Sequence, residues 1–298
     1  MTAEQRAYVD GLLRRPRPQK SQTLEELRAG FSGMMASMRV DDHVRTSHSS
    51  LGGRPALAVD PRRNAAPGVL LYFHGGGYVF GSPEDSLSLT SALVACTGIR
   101  SVSLDYRLAP EYPFPAALED ALAAYRDLLD RGIEPSQIAF VGDSAGGGIA
   151  ATTPLLARDA GLPMPAAVVA LSPVLDRTMT GRSMESKAGI DPLFTRESLQ
   201  ATRAMYLAGG DPEHEYLSPA VLADLAGYPP LLLQAGGNEV LLDDSTRMAE
   251  RAWMAGVDVV LDVTAGVPHV FQSFTGVLDE ADQALDRAAL FLTQRLRA

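Results

Sequence analysis

Ile138-Ala139-Phe140-Val141-Gly142-Asp143-Ser144-Ala145-Gly146-Gly147 is the stretch on which the reading of this chain turns. Four apolar residues in a row predict a buried strand, and a glycine follows at once. A serine between Gly142 and Gly146, where a strand hands over to a helix, is how a serine nucleophile is exposed. Both glycines have a steric reason, because side chains there would collide as the strand turns sharply into the helix. Short Gly-x-Ser-x-Gly matches also arise by chance in a chain with 27 glycines, so the surrounding sequence has to decide.

Upstream, the apolar run 69–73 reads as another buried strand and ends at His74-Gly75-Gly76-Gly77. Consecutive glycines let several backbone N–H groups point into one small cavity, where they can stabilise the oxyanion of an acyl-transfer intermediate. The N–H of Ala145, at a helix start just past the serine, is a further donor of that kind. Downstream, His269 follows a late strand at 257–263, near the carboxyl edge of the sheet, and suits a general base. His43 and His48 precede the central strands, His214 sits in a polar run, and His74 reads as an organiser of its own glycine loop. The acid that orients the histidine belongs after the strand 231–234 and before His269. Three carboxylates qualify by position: Glu239, nearest the strand end, and Asp243 and Asp244, which precede Ser245 and are equally placed to cap a helix.

The whole chain has the rhythm of an α/β protein. Strands are expected at 44–47, 57–59, 69–73, 101–104, 138–141, 166–171, 231–234 and 257–263, with a turn at 51–53. Helices are expected at 86–97, from Pro115 to residue 129, from Ala145 onward, and at 245–254 and 277–296. Such alternation predicts a largely parallel sheet covered on both faces. Residues 178–215 break the rhythm, with one helix and no convincing strand, and read as an insertion above the sheet. Together with the helices of residues 1–40 the insertion is expected to form a cap. The division is therefore 1–40 for N-terminal cap helices, 41–175 and 217–298 for two parts of one core, and 176–216 for the cap insertion. Within the helix expected at 23–38, Met34, Met35 and Met38 share a face.

Composition narrows the possibilities. With 298 residues, 46% apolar and 21% charged, the chain is an ordinary globular protein and not a disordered one. No apolar stretch is long enough for stable membrane insertion. The polar start carries no secretory segment, which predicts a cytoplasmic protein. A formal charge of −10 disfavours nucleic-acid binding. The basic run 14–20, interrupted by prolines, reads as a solvated linker. Cys96 is the single cysteine, which excludes an internal disulfide and a cysteine metal site. Its neighbours Leu93, Val94 and Ala95 predict that it is a buried small hydrophobe.

Taken together, His74-Gly75-Gly76-Gly77, Asp105-Tyr106-Arg107-Leu108-Ala109-Pro110-Glu111, Gly142-Asp143-Ser144-Ala145-Gly146-Gly147 and Pro268-His269-Val270-Phe271 resemble the bacterial hormone-sensitive-lipase-like carboxylesterases. The resemblance runs from about Asp41 to the C-terminus. It implies an α/β-hydrolase fold with a mostly parallel eight-stranded sheet under a helical cap. It also implies no cofactor or metal, and hydrolysis of uncharged esters with short to medium acyl chains. Ser144 is then the nucleophile and His269 the base, with Gly76, Gly77 and Ala145 as the oxyanion hole. Many relatives carry aspartate where this chain has Glu239, in a run resembling Asp-Pro-Leu-x-Asp. Glu239-Val240-Leu241-Leu242-Asp243 matches that register, so Glu239 is the acid carried over and Asp243 the alternative. An ion pair of Arg107 and Glu111 is expected to fix their loop, and Asp143 to hold the elbow or the oxyanion loop by hydrogen bonding. Met34, Met38, Met205, Tyr206 and Leu207 are candidates for an apolar acyl pocket or for attaching the cap to the core. Amide or lactone hydrolysis on the same serine, and a noncatalytic binding protein of the same fold, are the rival readings. The strand at 257–263 is a candidate edge for a homodimer, as the resemblance suggests, or is closed by a loop.

Overall fold

The computed structural model describes residues 3–15 and 23–296, so most of the basic linker run lies outside the described residues. One sheet of eight strands organises them: β1 (Val44–Leu51), β2 (Arg54–Pro61), β3 (Ala66–Phe73), β4 (Ile99–Leu104), β5 (Ile138–Asp143), β6 (Ala167–Leu171), β7 (Leu231–Gly236) and β8 (Val259–Thr264). Their order across the sheet is β1-β2-β4-β3-β5-β6-β7-β8. The β1–β2 hairpin and the β2–β4 pair are antiparallel, and every pair from β4 to β8 is parallel.

Position in the sheet explains composition. Every residue of β5, β6 and β7 is buried, which is why these strands read as unbroken apolar runs. The outer strand β1 buries only Val44 and Leu51 and is polar between them. Among the described residues ten α-helices accompany the strands: α1 (Ala3–Leu13), α2 (Leu24–Met35), α3 (Leu87–Thr97), α4 (Ala116–Asp130), α5 (Ala145–Asp159), α6 (Ser183–Ser186), α7 (Arg196–Leu207), α8 (Pro219–Leu222), α9 (Leu242–Met254) and α10 (Asp279–Arg295). Alternate strand residues face opposite layers, as the two-residue period of a strand requires. Leu71, Phe73 and Phe140 pack with residues of α4, α5 and α9, whereas Leu70, Tyr72, Ala139 and Val141 pack with α3 and α10.

Helices α2 and α7 meet the loops that leave the carboxyl ends of the strands. Arg28 of α2 donates to the carbonyls of Val79 and Ala109 at 2.9 and 3.0 Å, and Phe31 stacks on Phe80. Ser32 donates to Asp85 at 2.9 Å. The α6 segment is tied through Ser183, which donates to the Val240 carbonyl at 2.6 Å and accepts from the Asp243 N–H at 3.0 Å.

Two expectations fail here. Cys96 is exposed: it shares the face of Leu89 and Leu93 but stands in the last turn of α3, where its thiol lies 3.8 Å from the Asp286 carboxylate of α10. Helix α2 stops at Met35, where the Ser37 hydroxyl caps the Met34 carbonyl at 2.6 Å. Met34 is therefore exposed, and Met38 packs instead with Val9, Leu13 and Phe271. No helix among the described residues is long and apolar enough to cross a membrane.

Candidate active site

The site begins where β5 meets α5. Ser144 has φ 52° and ψ −117°, a left-handed geometry that costs a non-glycine residue about 1–3 kcal/mol. The turn is tight enough to exclude side chains at its two glycines. A Cβ on Gly142 would lie 2.3 Å from the Gly146 carbonyl oxygen, and one on Gly146 would lie 2.0 Å from that of Phe73. Backbone bonds hold Ser144 in place: its N–H donates to Leu171 at 2.8 Å, and its carbonyl accepts from Val174 at 3.1 Å.

His269 Nε2 lies 2.9 Å from Ser144 Oγ, and its Nδ1 lies 2.5 Å from Glu239 Oε2. Glu239 is fully buried, and its second oxygen accepts from the Gly236 N–H at 2.7 Å and the Ser172 hydroxyl at 3.1 Å. The carboxylate thus enters the protein with its lone pairs satisfied. Ser172 Oγ in turn accepts from the Val270 N–H at 3.0 Å, joining the acid's neighbour to the histidine loop. Burial works against a charged imidazole at His269, but the hydrogen bond and charge of Glu239 outweigh it and leave the pKa raised.

Neither competing aspartate reaches the ring. Asp243 accepts from the Ser183 N–H at 3.1 Å and from Thr246, and Asp244 accepts from the N–H groups of Leu175 and Asp176 at 2.7 and 2.9 Å. Burial pushes the Asp244 carboxyl up to about 7.

Asp143 lies beside the serine but faces the glycine loop. Its Oδ1 accepts from the Gly75 N–H at 3.0 Å and from the Tyr72 hydroxyl at 2.7 Å. Burial raises its carboxyl to about 6, with Tyr72 and His269 pulling the other way. A Cβ on Gly75 would sit 2.2 Å from Asp143 Oδ2, so the first glycine of the run makes room for this carboxylate. Gly76 turns back to accept from the N–H groups of Val79 and Phe80 at 3.0 and 2.8 Å. Among the described residues, the N–H groups of Gly76, Gly77 and Ala145 find no acceptor. His74 is buried behind this loop, with Nδ1 2.8 Å from the Gly75 carbonyl and its ring stacked on Tyr106 at 4.2 Å. Burial lowers its pKa to about 4, so the ring is neutral and Nδ1 carries the donated proton.

Arg107 and Glu111 do not pair with each other. Arg107 turns to the start of α4 and binds Asp120 at 2.8 Å and Glu119 at 3.1 Å. Glu111 faces the cap and takes both guanidinium nitrogens of Arg28 at 2.7 Å. The loop is thus fixed from two sides, by α4 through Arg107 and by α2 through Glu111.

The cap approaches the site through residues that sequence reasoning missed. The Phe194 ring stands edge-on to His269 at 4.9 Å. A Cβ on Gly77 would meet the Thr202 methyl at 3.5 Å. Asp191 accepts from Leu193 and Phe194 with one oxygen and from the Val240 N–H at 2.8 Å with the other, tying the cap beside Glu239. Of the acyl-pocket candidates, Tyr206 and Leu207 are buried in the main core and Met205 is half-buried against it. The turn signals Asp191-Pro192 and Ser172-Pro173 were the available clues to two of the missed residues. Nothing in the sequence marks Thr202.

One group outside the site gathers metal-ligating atoms, Asp41, Asp42 and His43, within 4.8 Å of one another. It precedes β1, at the end of the sheet opposite Ser144, and His43 is exposed.

Sheet order, strained elbow and the Ser144–His269–Glu239 alignment together define an α/β hydrolase. Residues 70–273 match a family described by the alpha/beta hydrolase fold. An acetyl-hydrolase of Streptomyces hygroscopicus is 43% identical over 224 residues, 75% of each chain. An esterase of Acinetobacter venetianus is 36% identical over 77% of this chain and 76% of its own. The crystal structure of an esterase from the bacterial hormone-sensitive lipase family superposes over the full length of both chains, with a TM-score of 0.95 and 41% identity. That of EstE5, soaked with p-nitrophenyl butyrate, does so with a TM-score of 0.93 at 36% identity. This chain belongs to the bacterial hormone-sensitive-lipase family of α/β hydrolases.

Proposed function

We propose that this carboxylic ester hydrolase cleaves uncharged esters with short to medium acyl chains through an acyl-serine intermediate. The observation that carries the reading is the continuous alignment of Glu239, His269 and Ser144, at 2.5 and 2.9 Å. His269 Nε2 takes the Ser144 hydroxyl proton as Oγ attacks the ester carbonyl. Glu239 holds the Nδ1–H tautomer and stabilises the imidazolium that forms. The N–H groups of Gly76, Gly77 and Ala145 receive the oxyanion of the tetrahedral intermediate. When that intermediate collapses, His269 returns the proton to the leaving alcohol. Water then attacks the acyl-serine, losing its proton to Nε2, and His269 returns that proton to Oγ as the acid leaves, restoring Ser144. Phe194 and Thr202 supply a largely apolar wall that suits an uncharged substrate. The name of the Streptomyces relative, an acetyl-hydrolase, supports the short end of the range.

Initial rates on p-nitrophenyl esters from acetyl to palmitoyl, with Ser144→Ala measured beside wild type, test the proposal. A Ser144-dependent optimum at short or medium chains is expected. Turnover retained by Ser144→Ala, or none from folded wild type, would defeat it in favour of a specialised amide or lactone hydrolase or a binding protein.

We also infer that β8 is where a second copy docks. It is the outer strand of its side, and Val260, Leu261 and Val263 are all more than a third exposed. Sedimentation of wild type against Leu261→Lys tests this; a monomeric wild type would end it.

A further inference from the structure

Tyr78 follows the two glycines of the oxyanion loop and has φ 66°, a left-handed conformation with no glycine to ease it. Something has to hold it there. Its carbonyl accepts from the Ala109 N–H at 2.8 Å, and its side chain is buried at a junction of three elements. The ring stacks on Tyr206 of α7 with centroids 3.9 Å apart and planes 15° from parallel. The hydroxyl lies against α5, where a Cβ on Gly148 would come within 2.5 Å of it. The third contact is Arg177, in the loop that leaves β6, whose guanidinium carbon stands 4.6 Å from the Tyr78 centroid and 5.5 Å from that of Tyr206.

Arg177 is an unusual residue to find there. It is only 4% exposed, and among the described residues its Nη2 has no hydrogen-bond partner and its guanidinium joins no ion pair. A buried cation without a contacting carboxylate is costly, and what offsets it here is the faces of two tyrosines together with the Tyr78 hydroxyl, whose proton the Arg177 charge and hydrogen bond make easier to lose. Asp244 feels the Arg177 charge but spends both its contacts on the Leu175 and Asp176 N–H groups. Packing alone would be served by an apolar side chain, whereas a flat cation grips the rings as well as filling the space.

We propose that Arg177 is a positioning residue for the oxyanion loop, locking Tyr78 against Tyr206 so that the Gly76 and Gly77 N–H groups are held where the oxyanion develops. The lock rests on the reading of Gly76 and Gly77 as oxyanion donors. It also makes donor geometry depend on the seating of α7, since one face of the stack belongs to the cap.

The test compares wild type, Arg177→Met, Arg177→Lys, Tyr206→Leu and the Arg177→Met/Tyr206→Leu double variant. Each is assayed for kcat and KM on p-nitrophenyl butyrate and for inhibition by butylboronic acid, which adds to Ser144 as a tetrahedral mimic. Arg177→Met is expected to lower kcat about tenfold with KM within twofold, because displaced donors act on the transition state. Boronate affinity should fall in step with kcat/KM, Arg177→Lys should recover part of the loss, and the double variant should be little worse than either single. Folded Arg177→Met with wild-type kcat overturns the lock, as does a kcat loss that leaves boronate affinity unchanged or losses that simply add. If Arg177→Met does not fold, Arg177→Lys and Tyr206→Leu decide by the same criterion of kcat and boronate affinity moving together. Ser144→Ala in the same series separates the two readings. Activity retained there removes the site itself, whereas Ser144-dependent activity indifferent to Arg177 removes only the lock.

Discussion

The elbow and the cap differ in how they hold a functional group still. At the elbow, backbone does the work: Gly142, Gly146 and Gly75 sit where any Cβ would overlap a neighbour, and Ser144 is forced into a left-handed turn. At the cap, side chains do it: Arg28 reaches two carbonyls and Glu111, Asp191 reaches Val240, and Tyr206 stacks on Tyr78. Backbone constraint admits one residue type, whereas a tether admits any pair that can span the gap. The first region should therefore fail abruptly on substitution and the second by degrees.

The largest effect expected is at the serine. Ser144→Ala should lower kcat by about 10⁴-fold or more while the melting temperature stays near wild type. Loss of the fold along with activity would show that the elbow and the reaction cannot be separated. Glu239→Gln should lower kcat about 10³–10⁴-fold, against less than threefold for Asp243→Asn. The pH profile sharpens this. On the proposed mechanism His269 must be neutral to accept the serine proton, so activity is expected to fall as pH drops through its raised pKa, above the ordinary 6.5. Removing the Glu239 charge should move that acid limb to lower pH.

A smaller effect is expected at Asp143→Asn, since an amide oxygen can still accept from Gly75 and Tyr72; kcat should drop no more than about tenfold. Its stability signature is more telling. The folded carboxyl titrates at about 6 and the unfolded one at the ordinary 3.8. Between those values the native state binds more protons, so wild type loses stability as pH rises through that window and is level above it. The melting temperature of the variant minus that of wild type should therefore increase from pH 4 to pH 7. A constant difference would mean that Asp143 stays charged in the fold.

The smallest effect tests the cap. Arg28→Ala severs its tethers to Val79, Ala109 and Glu111 and should raise KM severalfold with kcat within about threefold, lowering the melting temperature by a few degrees. A kcat loss as large as that of Glu239→Gln would erase the contrast between the two regions.

The same contrast accounts for what could be read in the chain before its structure was seen. The β5–α5 turn, the glycine loop and the strand rhythm were legible because sterics and burial restrict the residue types allowed there. Glu239 was favoured over Asp243 by register and distance from the strand end, and the structure puts the first against His269 and the second on Ser183. Side-chain partners drawn from different elements left no trace. Arg107 meets Asp120 and Arg28 meets Glu111, although adjacency within one loop had suggested Arg107 with Glu111. Ser172, Phe194, Thr202 and Arg177 meet their neighbours at positions that only the folded chain brings together. Cys96 misled because a shared face does not ensure burial: it stands in the last turn of α3, beside Asp286, while Leu89 and Leu93 of the same face are buried.

Tyr78, Ser144, Ser172 and Val270 are four of the seven described non-glycine residues with left-handed backbone, and all four border the site. Glycine at Ser144 would relax the backbone there, whereas at Tyr78 it would empty the ring's place against Tyr206 and at Ser172 it would break the bonds to Glu239 and Val270. A descendant selected on melting temperature alone would be free to trade away Ser144, the residue proposed as the nucleophile. Selection for endurance therefore has to be paired with selection for turnover.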